Sequence, residues 1–102
     1  MKFGLSSQVI QKIKGVFSSH PEVEAVILYG SRAMGNFKAG SDVDLTLKGT
    51  GLNLSKLAKI SGEMDDLSLP YTFDFSIHSQ IKNPELLEHI DRAGTVFYSS
   101  YE

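Results

Sequence analysis

The chain is predicted to be α/β, of the α+β kind: a mixed β-sheet with helices mainly on one face. Three observations predict it: short apolar or alternating runs, amphipathic runs at helical spacing between them, and turn residues at nearly every junction. Val9, Ile10, Ile13, Val16 and Phe17 recur at helical spacing opposite Gln11, Lys12 and Lys14, so a first helix is expected from about Ser7 to Ser19, stopped by His20-Pro21. Val23 to Tyr29 reads as a largely buried strand of apolar and β-branched residues that ends abruptly at Gly30-Ser31. A short helical piece then runs to Gly35, and a polar loop from Asn36 to Ser41 releases the chain at Gly40 into a second strand. That strand ends at Lys48-Gly49-Thr50-Gly51.

Leu54, Leu57, Ile60, Met64 and Leu67 mark a second long amphipathic helix, capped by Asn53 or Ser55 and weakened by Gly62, before Pro70 forces an exit. Tyr71 to Ile77 alternates cleanly, with Phe73, Phe75 and Ile77 inward and Thr72, Asp74 and Ser76 outward. Asn83-Pro84-Glu85 is a helix start, with a capping side chain, a proline at the first position and an acid near the positive end; Gly94 closes that helix after Arg92. Thr95 to Ser100 is expected as a short last strand.

With 102 residues the chain is read as one domain, with room for a single core but not for a catalytic domain plus a separate substrate-binding domain. The formal net charge is −2 and the ten Lys and Arg are dispersed, so there is no electrostatic footprint for gripping a nucleic acid backbone. No cysteine is present, which excludes disulfides and thiolate metal sites. Met1 to Ser7 holds a lone lysine and no apolar run of the required length, so neither a signal peptide nor a membrane span is expected, and a cytoplasmic protein using ATP fits best.

The chemistry concentrates in one stretch: Gly30-Ser31, ten residues, then Asp42-Val43-Asp44. Alternation sends Asp42, Asp44 and Thr46 to one face of the strand and Val43, Leu45 and Leu47 to the other, so the acids converge while the apolar residues pack. Mg²⁺ is usually held by one or two carboxylates together with substrate phosphates, which makes the pair a candidate metal site. Gly30 lets the backbone approach a phosphate, and the amides from Ser31 to Ala33 with the serine hydroxyl can aim at an anion; the same serine could also simply cap the short helix. Asp74, on a neighbouring strand, is the candidate third acid, able to complete the ligand set and accept the proton of an attacking hydroxyl. Arg32 and Lys38 are candidate phosphate contacts or solvated surface charges. His78 shares the face of Asp74 but reads as a strand-end surface residue, His20 and His89 as incidental, and the aromatic residues as core or edge packing.

Gly30-Ser31-Arg32-Ala33-Met34-Gly35 followed by Ser41-Asp42-Val43-Asp44-Leu45 resembles the signature of the minimal nucleotidyltransferases of the DNA polymerase β-like superfamily, specifically the MNT antitoxins paired with HEPN toxins. The resemblance runs through most of the chain, and Asp74 falls where that family places its third acid. Met34 departs from it, since relatives often carry arginine there. The resemblance implies a nucleotidyltransferase core, with Gly30, Ser31, Arg32 and Lys38 at the nucleotide and Asp42, Asp44 and Asp74 holding two Mg²⁺ ions about 3.5 to 4 Å apart. It further implies transfer of AMP from ATP to a tyrosine hydroxyl of a cognate HEPN toxin. Two other readings stand beside it: an antitoxin that masks its partner by binding alone, and an enzyme modifying a small hydroxylated molecule such as an aminoglycoside.

Overall fold

The computed structural model describes residues 1–101. In chain order the elements are α1 (Ser7–Ser18), β1 (Ala25–Tyr29), α2 (Ser31–Met34), β2 (Val43–Lys48), α3 (Leu54–Asp65), β3 (Phe73–Ile77), α4 (Pro84–Ala93) and β4 (Thr95–Ser99), with a 3-10 turn at His78–Gln80 after β3. The strands form one sheet in the order β3-β2-β1-β4. β1 pairs antiparallel with β2 and with β4, whereas β2 and β3 run parallel. The parallel pair needs a crossover connection, and α3 supplies it.

The ends of the helices follow from local chemistry. The Ser6 side chain accepts from the Val9 amide at 3.2 Å to start α1. Asn53, not Ser55, caps α3 by accepting from the Lys56 amide at 2.8 Å. Asn83 accepts from Glu85 and Leu86 at the start of α4, with Pro84 at the first position, where its missing N–H costs nothing. Strand pairing begins later than alternation suggests: Val23, Asp42 and Tyr71 all precede their strands. For Val23 the reason is local, since its amide donates to His20 O within the turn after α1.

One face of the sheet carries Val26, Leu28, Val43, Leu45 and Leu47, all fully buried. α1 and α3 cover that face with Ile13, Phe17, Ile60 and Met64. Phe17 meets Phe75 of β3 edge to face, with ring centroids 6.4 Å apart, which fixes the phenylalanines of β3 on the core side and leaves Asp74 and Ser76 on the other. That opposite face is not bare. α4 lies across its β1 side: a Cβ at Gly94 would meet the Ile27 side chain, and His89 packs edge-on against Tyr29. The acids lie on the β2-β3 half of that face, Asp42 and Asp74 exposed and Asp44 half-buried, with Thr46 fully buried behind them.

Candidate active site

Tyrosine, acid and acid form one row across the sheet, with the glycine of the turn next to it. Tyr29, the last residue of β1, pairs with Asp44 on β2, and Asp44 pairs in parallel register with Asp74 on β3. Gly30 follows Tyr29 directly, with φ 77° and ψ −159°, a conformation essentially restricted to glycine. Its Cα is seated against the Asp44 carboxylate, so closely that a Cβ at Gly30 would collide with Asp44 Oδ2. The turn and the acid are therefore one geometric unit. α2 closes behind them, with the amides of Ala33 and Met34 donating to Gly30 O at 3.1 Å and the Gly35 amide donating to Ser31 O. The Ser31 and Arg32 amides, as the first of α2, lie outside that helical ladder.

Burial raises the Asp44 carboxyl above the ordinary carboxylate range, and the charges of Asp74 and then Asp42 push it further the same way, opposed by His89. Asp74 is thus the closer electrostatic companion of Asp44. Asp42 stands before β2 and is exposed, as is Asp74, while Asp44 is half-buried. Among the described residues no three His, Asp, Glu or Cys side chains are gathered into a metal-holding group. Three adjacent carboxylates repel one another, and Asp42 lacks the strand pairing that holds the other two in register. The donors themselves fit a hard divalent cation: they are oxygen ligands whose mutual repulsion such an ion would relieve, and one or two carboxylates with substrate phosphates satisfy Mg²⁺.

The Tyr29 phenol is pushed up by burial first and then by Asp74 and Asp44, with the nearby Ser76 hydroxyl acting the other way. Behind the acids, Thr46 and Ser76 are also cross-strand partners, and among the described residues the fully buried Thr46 hydroxyl has no hydrogen-bond partner. His78 falls in the 3-10 turn beyond the acid row; burial and then Lys48 hold its pKa down. A cleft of about 650 Å³ lined by residues including Lys2, Ile10 and Lys14 contains none of the acids.

Arg32 is a correction to the sequence reading. Its side chain is 2% exposed and committed to the backbone: Nε and Nη2 donate to Ser41 O at 3.1 and 3.0 Å, and Nη1 to Phe3 O at 2.9 Å. Phe37 and Tyr71 flank the guanidinium at 5.3 and 5.2 Å. It pins the residue before Asp42 instead of facing a phosphate, because a planar fork of donors between aromatic rings satisfies loop carbonyls that no strand can pair. Lys38 is exposed, and among the described residues its ammonium joins no ion pair. His89, passed over in the sequence, stands at the site: the Gly30 amide donates to its Nε2 at 3.1 Å. The available signal was its spacing, three residues after Leu86 and four before Ala93, which puts it on the inward face of α4.

A helix-backed mixed sheet with paired aspartates on its open face and a Gly-Ser turn set against one of them defines a nucleotidyltransferase-type domain. Residues 11–102 match the family described as polymerase beta, nucleotidyltransferase, and the chain belongs to that family. No curated protein matches the sequence. Among solved structures, a toxin-antitoxin crystallised with AMP-PNP is similar to this chain with a TM-score of 0.72 and 16% identity, over 89% of this chain and 73% of that one. A complex of a tri-AMPylated Shewanella oneidensis HEPN toxin with MNT antitoxin gives a TM-score of 0.69 and 13% identity, over 95% and 75% of the two chains. A Sulfolobus solfataricus protein provisionally assigned as a nucleotidyltransferase gives 0.60 and 17%, over 93% and 81%.

Proposed function

We propose that the chain moves AMP from ATP to a hydroxyl of a partner protein, a tyrosine of a cognate HEPN toxin, and thereby acts as its antitoxin in the cytoplasm. The observation that carries this reading is the Gly30 turn seated on Asp44 with Asp74 in register beside it. A turn suited to an anion beside paired carboxylates is the juxtaposition that phosphoryl-type transfer requires, and it supports this reading. The similar chain crystallised with AMP-PNP and the complex of MNT antitoxin with an AMPylated HEPN toxin support the choice of donor and acceptor.

In this reading the Ser31 hydroxyl and the turn amides orient the β and γ phosphates, with Lys38 as a mobile countercharge. Asp44 and Asp74, joined by Asp42, would hold Mg²⁺, which when bound supplies charge neutralisation and a lowered pKa for the attacking hydroxyl. The acceptor oxygen bonds to the α-phosphorus, the bond to the bridging oxygen breaks, and pyrophosphate leaves. Asp74, exposed at the edge strand, receives the acceptor proton.

The test incubates the chain with labelled ATP, Mg²⁺ and a HEPN partner and follows the partner's mass. A gain of about 329 Da or multiples of it, lost in Asp42→Asn/Asp44→Asn, is expected. A partner that is neutralised with no added mass would instead establish masking by binding alone.

A further inference from the structure

Resting on the nucleotide-turn reading above, we propose that His89 is a positioning residue: its Nε2, as acceptor for the Gly30 amide, locks the turn against the Asp44 carboxylate.

Gly30 is where the chain passes from β1 into α2. Its φ of 77° and ψ of −159° lie in a region that glycine enters without a side chain to hold it there. β1 fixes the chain up to Tyr29, and α2 fixes it from Gly30 O onward. Between these two anchors the Gly30 amide has left the ladder, and its acceptor comes from 59 positions away in sequence. A long-range bond to the amide of a residue in a glycine-only conformation is a positional device, because it joins the turn to a separate element.

The element that delivers the acceptor is itself fixed. Ile90 is 4% exposed, a Cβ at Gly94 would fall 2.7 Å from Ile27 Cγ2, and Asn83 caps the start of α4. The imidazole stands edge to face against Tyr29, with centroids 6.2 Å apart and planes at 76°, so one ring contacts both Tyr29 and Gly30. An accepting Nε2 requires the neutral ring with its proton on Nδ1. Since Gly30 touches Asp44, a turn released by His89 shifts relative to the acid that would share the nucleotide's metal.

The test uses wild type, His89→Leu and His89→Gln, the last because its Oε1 reaches the position of Nε2 and can accept the same proton. Two quantities are read: the Kd for AMP-PNP with Mg²⁺ by calorimetry, and the exchange rate of the Gly30 amide by NMR. His89→Leu is expected to weaken binding and speed exchange by about tenfold, with His89→Gln restoring both to within about threefold of wild type. An unchanged Leu variant overturns the proposal, and so does a Gln variant as impaired as Leu, which would make the ring's packing the cause. If wild type binds no AMP-PNP the nucleotide reading fails separately, and Gly30 exchange still decides the lock: faster only in Leu upholds it, unchanged overturns it.

Discussion

Asp44 carries most of the conflict in this molecule, because its carboxylate is half-buried, pressed by Asp74 and Asp42, and touched by the Gly30 backbone. A carboxyl held above its unfolded value binds its proton more tightly in the folded state, so the folded form is penalised as pH rises through the interval between the two values. In metal-free buffer Asp44→Asn is therefore expected to melt above wild type at pH 7, and the gap should close as pH falls below about 4, where both states of wild type are protonated. Thermal melts across pH in EDTA check this, and a gap that widens in acid would contradict it. Gly30→Ala meets both a disfavoured backbone and the Asp44 side chain; a loss of about 2–4 kcal/mol in urea unfolding, with loss of nucleotide binding, is expected. Both residues were legible as a motif from spacing alone, whereas their contact was not, since it depends on β1 and β2 pairing in one particular register.

At the scale of elements, one side chain ties the loop between α2 and β2 to the segment before α1. Arg32 bridges Phe3 O and Ser41 O, and Ser41 leads directly into Asp42. Arg32→Lys keeps the charge but not the fork, and is expected to cost about 2–3 kcal/mol of stability in chemical denaturation. A phosphate-contacting arginine would instead leave stability intact and weaken only nucleotide binding, so the two measurements together separate these roles. The sequence reading weighed Arg32 only as a phosphate contact or a surface charge because a charged residue beside a Gly-Ser turn has no local sign of burial. The carbonyls that claim it, and the rings of Phe37 and Tyr71, come from three other segments. α4 shows the same limit: its cap and its ends were evident from Asn83, Pro84 and Gly94, but its place on the acid face was not.

The whole molecule separates its tasks by sheet face. α1 and α3 seal one face with apolar side chains, which frees the other to carry charge. Phe17, fully buried and in contact with Phe75 and Tyr98, is the largest of those side chains. Phe17→Ala is expected to cost about 3–5 kcal/mol by urea titration, a large share of the roughly 5–15 kcal/mol that holds a small domain together. It should lower activity only through the unfolded fraction, so activity normalised to folded protein would stay constant. Alternation and helical spacing determined which side chains face the core, because those periodicities are properties of the backbone and need no partner. The Gly-Ser turn and the acidic pair were likewise fixed by chain order. Strand order, the pairing of Asp44 with Asp74, the burial of Arg32 and the reach of His89 to Gly30 were decided only by tertiary structure, because each joins segments far apart in sequence through contacts that packing alone selects.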